Sequence, residues 1–328
     1  GSMNTTAFSF GPLGAKGFAF LNMIQLIGWT SIMIYDAMLA LQELAPLSPM
    51  IWTIAIGALV ILWLFIGLHN TGYIQAIVSV LLLGLTLYMG VHMISQWPSD
   101  SSFMTNGNMS FIAALELSIA MPLSWLPLIS DYTRESKKPF SASFTSATVY
   151  TITSIVMYTL GLSAAIFGGG DYIITIMMNA GLGLAGLLVI IFSTVTTTFM
   201  DAYSAGVSST TIYNSASSKG IAVIVTIVGT IAAILYPMDD ITDFLYLIGS
   251  VFAPMIAILL ADYFVNRQQV QTLSAYLIRG LIWAVSVGLY HYMLHSESSI
   301  GATLPAFAIA FIVTTIVGFI SKTANALL

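Results

Sequence analysis

The sequence predicts an all-α polytopic membrane protein: ten transmembrane helices with both chain ends on the same side of the bilayer. Three observations predict it. Of the 328 residues, 58% are hydrophobic and only 6% are charged, against about 25% charged in a soluble domain. A water-soluble chain of this size needs more charge to cover its surface, whereas lipid solvates apolar side chains directly. Apolar stretches close to the roughly 20 residues that cross a bilayer recur from one end of the chain to the other. The basic residues, finally, all fall towards one side of the membrane when these stretches are threaded across it in turn.

The stretches run roughly over 17–42, 49–68, 72–96, 109–130, 142–167, 173–213, 220–236, 241–265, 272–294 and 301–320, each near the span length. The sixth is too long for one simple crossing and is expected to hold a short outer segment plus a helix that continues past the membrane. The gaps leave no room for a soluble domain, so residues 1–328 form one transmembrane domain. Gly1-Ser2 before Met3 reads as an expression scar and is excluded from the fold.

Orientation follows from the positive-inside rule. With the N-terminus inside, the inner segments hold Lys16, Arg134, Lys137, Lys138, Lys219, Arg267 and Lys322, and Arg279 lies near the inner end of the ninth helix. The outer loops hold Asp100, Asp171, Asp239, Asp240 and Glu297 and no basic residue. The expectation is an integral plasma (inner) membrane protein with both termini cytoplasmic. The lack of cysteine excludes disulfides, thiolate metal sites and cysteine catalysis. Eight scattered basic residues make no nucleic-acid patch.

Ionisable groups at membrane depth are costly and usually face a cavity or the bundle interior; Asp36, Glu116 and Asp201 are the candidates. Glu116 shortly precedes Met121-Pro122-Leu123-Ser124-Trp125-Leu126-Pro127. Two prolines remove two backbone donors and are expected to interrupt the fourth helix. The break either exposes backbone groups to a substrate or is a simple kink. Ser193, Thr196 and Thr197 share one helical face. Their oxygens suit Na⁺ if a facing helix adds carbonyls; alternatively they bond their own backbone or glue helices together. Asp201, one turn further, could accept hydrogen bonds from a ligand amine or take up a proton. Gln25 and Trp29 point the same way, an amide able to read a ring edge and an indole able to stack on a ring or merely to pack. Tyr35-Asp36 and Gly168-Gly169-Gly170-Asp171 mimic the aspartate pair of a membrane protease, but the glycines fall in an outer loop, and the chain is not expected to be an enzyme.

Several segments together resemble the nucleobase–cation symporters, the family of cytosine permease and the bacterial hydantoin transporter. They are Ser9-Phe10-Gly11 with Lys16-Gly17 and Gly28-Trp29, Ser130-Asp131-Tyr132-Thr133-Arg134, Asp201-Ala202-Tyr203-Ser204-Ala205-Gly206, and Ala253-Pro254 with Ala261-Asp262-Tyr263-Phe264-Val265-Asn266-Arg267. Within the family, Leu123-Ser124-Trp125-Leu126-Pro127-Leu128 and the Thr-Thr-Thr-Phe-Met-Asp-Ala-Tyr-Ser run resemble the hydroxymethylpyrimidine branch called CytX.

The resemblance implies a LeuT-like fold of two inverted five-helix repeats and Na⁺-coupled, or failing that H⁺-coupled, symport of a pyrimidine-type base by alternating access. With the residues already singled out, the expected substrate site is Gln25, Trp29, Glu116, Ser124, Trp125 and Asp201, and the resemblance implies Na⁺ at Ser193, Thr196 and Thr197 and no cofactor beyond that ion. Trp29 falls on the family's stacking tryptophan, and Pro122 falls where relatives place an aromatic, leaving Trp125 as substitute. The family has twelve helices, and these ten match the third to the twelfth, so the first two are expected to be missing. That leaves three other readings: an amino-acid permease of the same superfamily, a truncated remnant that does not transport, and a homodimer that borrows helices.

Overall fold

The computed structural model describes residues 1–44, 46–66, 68–95, 109–133, 136–168, 183–238, 241–267, 269–296 and 299–326. Among them are ten long α-helices. These are α1 (Ala7–Leu44), α2 (Pro49–Ile66), α3 (Leu68–Ser95), α4 (Phe111–Thr133), α5 (Pro139–Gly168), α6 (Gly183–Ile212), α7 (Ser218–Leu235), α8 (Thr242–Leu260), α9 (Leu273–His295) and α10 (Thr303–Ala326). Eight, all but α3 and α5, are long and apolar enough to cross a membrane. In α3 the apolar run is shorter, Tyr73–Tyr88. In α5 hydroxyl residues dilute the hydropathy; Thr148, Thr151, Thr159 and Ser163 each donate to the carbonyl four residues back. A hydroxyl closed onto its own helix needs no water, which is how such a face tolerates lipid. Arg134, Asp100, Asp171, Asp239, Asp240 and Glu297, used in the charge alternation, lie outside the described residues.

α1 is the axis of the packing. One face closes with α2, α6 and α7 around Leu26, Ile34, Leu41, Ile56, Val60, Phe199 and Val225. Its beginning closes with α8, α9 and α10 around Phe10, Phe18, Phe252, Met255, Ile258 and Ile282. α1 and α6 run antiparallel and pack most extensively. They are five helices apart in chain order, as two members of a five-plus-five repeat would be.

The helix breaks differ from expectation. α4 stays helical through Pro122 and Pro127; bonds lost to the prolines do not divide it. The break sits in α1 at Gly11-Pro12, where Gly11 has φ 69° and ψ 179°. Only glycine adopts that conformation cheaply, and a Cβ there would strike the Tyr276 ring. The segment before the break folds in tightly. Ser2, excluded from the fold on sequence grounds, is buried, and its N–H donates to Asp131 Oδ1 at 2.6 Å.

At the far end of α8 the backbone widens into a π-turn, Ala261–Asn266, closed by Arg267 in the left-handed region at φ 49°. Arg279 of α9 donates through Nε and Nη2 to Asp262 Oδ2 and Oδ1 at 3.2 and 3.0 Å. Asn266 Nδ2 donates to Asp262 Oδ1 and to the Thr314 carbonyl of α10 at 2.9 and 3.1 Å. The Lys322 ammonium donates to the Asn266 carbonyl. Asp262 and Arg279 are both buried, so each is stable only while the other is present. Asp262→Ala should lower stability by about 3–5 kcal/mol by stranding the guanidinium, whereas Asp262→Leu with Arg279→Met should regain most of it. Thermal melts of the purified variants in one detergent check this.

Candidate functional site

A buried polar network lies where α1 meets α4 and α6. Asn22 and Gln25 are one turn apart on α1 and both buried. Asn22 Nδ2 donates to Ser208 Oγ of α6 at 2.8 Å. Gln25 Nε2 donates to Asn22 Oδ1 at 2.7 Å and to the Ser124 carbonyl of α4 at 3.0 Å. Each bond fixes the next amide's orientation, because an amide nitrogen only donates and its oxygen only accepts. The end of the chain is Gln25 Oε1, buried without a partner among the described residues.

Asp201 lies on the stripe of α6 that carries Ser204 and Ser208, seven residues before the bond to Asn22. Trp29 lies seven residues beyond Asn22 on the antiparallel partner. Seven residues rise about 10 Å, so Trp29 and Asp201 sit at one level, with Gln25 a little over halfway down to the bonded pair. Asp201 is buried, 6% exposed, and no described residue hydrogen-bonds its carboxylate. Trp29 is half-buried and meets Phe244 of α8 edge-on, ring centres 5.5 Å apart. The site is thus a stacking face level with one unsatisfied acceptor and above another, with the hydroxyl of Ser124 already turned back onto the Met121 carbonyl at 2.7 Å.

Two predicted site residues stand elsewhere. Glu116 accepts from Ala302 N–H (3.0 Å), from Thr303 N–H (3.0 and 2.9 Å) and from Thr303 Oγ1–H (2.6 Å). It is the N-terminal cap of α10, with Gly301 at φ 76° making the turn against it. Its four bonds and the positive end of the helix dipole satisfy the charge locally. Trp125, one residue past Ser124, is turned to α5. It stands 6.3 Å from Tyr150 and lines a cleft of about 490 Å³ with Tyr150, Ser154 and Tyr158.

Thr196 Oγ1 donates to the carbonyls of Phe192 and Ser193 (2.8 and 3.0 Å), and Thr197 Oγ1 to Ser193 O (2.8 Å). These back-bonds are the helix-internal alternative raised by the sequence. They use the hydroxyl protons and leave oxygen lone pairs outward, so the donor set still fits a hard cation. Asn22 and Ser208 were not expected. The signal for Asn22 was its place one turn from Gln25 in an otherwise apolar span; for Ser208 nothing in the sequence distinguishes it.

In fold the chain is similar to Mhp1, described as a nucleobase-cation-symport-1 family transporter in a closed conformation with bromovinylhydantoin bound. The TM-score is 0.79 at 16% identity, over 98% of this chain and 79% of that one. No curated protein matches the chain in sequence. The class is that of a helical membrane transporter and not of an enzyme. The family model "Permease for cytosine/purines, uracil, thiamine, allantoin" matches residues 3–327, and the chain belongs to that family. The protease reading falls with this, and its residues give it no support: Asp36 is exposed and Asp171 lies outside the described residues. The amino-acid permease reading falls with it too.

Glu116→Gln should therefore act on stability and not on ligand. The expected result is a loss of about 1–3 kcal/mol, read as a lower melting temperature, with ligand affinity changed less than about twofold, a few tenths of a kcal/mol.

Proposed function

We propose that the protein is a cation-coupled symporter for a pyrimidine-type base carrying an exocyclic amine, a thiamine precursor such as hydroxymethylpyrimidine, moved by alternating access. The observation that carries this is the chemistry left open in the site. Gln25 has spent its donors, so what it offers is Oε1. Asp201 offers a carboxylate. A ligand that satisfies both presents N–H donors along one edge. Aminopyrimidines do so through the amine and a protonated ring nitrogen, whereas each ring N–H of uracil stands beside a carbonyl that would face an acceptor. A buried unpaired polar group is expensive, which makes this a strong discriminator. Trp29 supplies the ring-stacking face. The likeness to the CytX branch supports the same substrate class, and the flat heterocycle named for Mhp1 supports a flat ligand.

Na⁺ is assigned to the oxygens of Ser193, Thr196 and Thr197, with Asp201 one turn away as the place where a proton would substitute for it. The basic-inside alternation supports an inner-membrane protein with cytoplasmic ends. Glu116 and Trp125 are left out of the substrate contacts.

The test is a thermal-shift panel of cytosine, hydroxymethylpyrimidine, thiamine, uracil and hydantoins, with and without Na⁺. Stabilisation by the aminopyrimidines that needs Na⁺ is the expected outcome. No shift with any compound would favour a chain that does not transport. Asp201→Ala should weaken aminopyrimidine binding by about 10–150-fold, the value of one to two charge-assisted hydrogen bonds, and leave uracil unchanged. Retained aminopyrimidine affinity in this variant and in Asp201→Asn would defeat the assignment. Thr197→Val, which keeps the shape and removes the oxygen, should abolish the Na⁺ requirement before it abolishes the fold.

A further inference from the structure

Away from the transport site, a cavity of about 300 Å³ opens at the basic end of the bundle between α8, α9 and α10. It is lined by Asn266, Thr272, Ala275, Arg279, Gly318 and Ser321, among others. Two of these are almost wholly buried and incompletely bonded. Arg279 is 5% exposed. Its Nε–Nη2 edge is occupied by Asp262, and Nη1 has no partner among the described residues. Asn266 is 2% exposed. Its Nδ2 is committed to two acceptors, which fixes the amide and leaves Oδ1 without a partner. The first turn of α9 opens on the same cavity; its Thr272 cap accepts from Ala275 N–H at 3.4 Å, leaving the N–H groups of Leu273 and Ser274 at the positive end of a 23-residue helix.

We propose that this cavity binds a phosphate group that carries a neighbouring hydrogen-bond donor. The charge around it has the right sign. Arg279 lines the cavity, Lys322 and the exposed Arg267 adjoin its lining residue Asn266, and the one carboxylate in contact, Asp262, is balanced by Arg279, so the excess charge is that of Lys322 and Arg267. A guanidinium nitrogen and free helix N-terminal amides bind phosphate oxygens. Asn266 Oδ1 rejects a bare anion and asks for a hydroxyl or an ammonium beside the phosphate. A basic pocket between membrane helices at this depth is reached by lipid headgroups, and ethanolamine and glycerol headgroups carry that donor, whereas choline does not. A soluble phosphate ester has the same chemistry from the aqueous side.

The chain is purified in mild detergent and exposed to equal amounts of phosphatidylethanolamine, phosphatidylglycerol and phosphatidylcholine, with retained lipid read by native mass spectrometry. A separate melt titration uses inorganic phosphate and phosphoethanolamine. Retention of the ethanolamine and glycerol lipids about fivefold over the choline lipid, the worth of one such contact, assigns a lipid source. A rise in melting temperature with phosphoethanolamine, and a smaller one with inorganic phosphate, assigns a soluble source. In either case Ser321→Glu, at an exposed lining position, should abolish the effect by repulsion, while Ser321→Gln, equal in bulk and neutral, should keep it. Equal retention of all three lipids with no response to the soluble phosphates, or Ser321→Glu behaving as Ser321→Gln does, overturns the proposal.

Discussion

Water cannot reach the hydrocarbon core of a bilayer, so each polar group placed there must find its partner within the protein. That constraint sorts the buried groups of this chain. Glu116 is closed by four bonds from the start of α10, and Asp262 by Arg279 and Asn266. The first rivets helices distant in sequence, the second two consecutive ones. The threonines of α5 close onto their own backbone and hold nothing else. Gln25 and Asp201 are equally buried and remain open. A group that costs free energy in the empty protein and is not relieved by its neighbours is where a ligand can gain the most.

The helix arrangement explains why the open groups collect where they do. α1 has an apolar core on each side, one with α2, α6 and α7, the other with α8, α9 and α10. Between these cores it keeps a narrow polar stripe, Asn22, Gln25 and Trp29, that reaches α6, α4 and α8 in turn. Leu26 and Ile34 carry the packing on the neighbouring stripe. The same helix can thus be rigid on two faces and reactive on a third, and the site inherits its precision from the packing on either side.

Much of the fold was legible because lipid imposes length and hydropathy on each crossing helix, and the ten stretches read from sequence fall on the ten helices described. The errors are of one physical kind. Glu116 looked like a substrate ligand because its partners, Ala302 and Thr303, lie 186 and 187 residues away, and local sequence carries no trace of them. Trp125 was expected to stand in for the aromatic that relatives place at the Pro122 position, but it is turned to Tyr150 of α5, a neighbour that local sequence does not reveal. The prolines of α4 suggested a break, but neighbouring helices re-satisfy a proline-containing span more easily than they rescue a glycine at φ 69°. Gln25, Ser124 and Asp201, all buried, lie on helical stripes that point inward.

The amide chain also gives the site a direction. Ser208 takes a proton from Asn22, Asn22 from Gln25, and Gln25 gives its second to the Ser124 carbonyl, so reversing the acceptor at Oε1 means breaking three bonds on three helices together. An acceptor held this way loses little entropy when a ligand arrives, and preorganisation of that kind converts directly into affinity. It is also conditional. Of the three bonds, the one to Ser124 crosses from α1 to α4, and it survives only while those helices keep their present spacing. If α4 shifts, Gln25 Nε2 keeps only its bond to Asn22, the amide is held by one contact instead of two, and the preference for donors weakens. In the proposed function, the polarity offered to the ligand is therefore tied to one conformation of the bundle, which suits a site that would bind on one side and let go on the other.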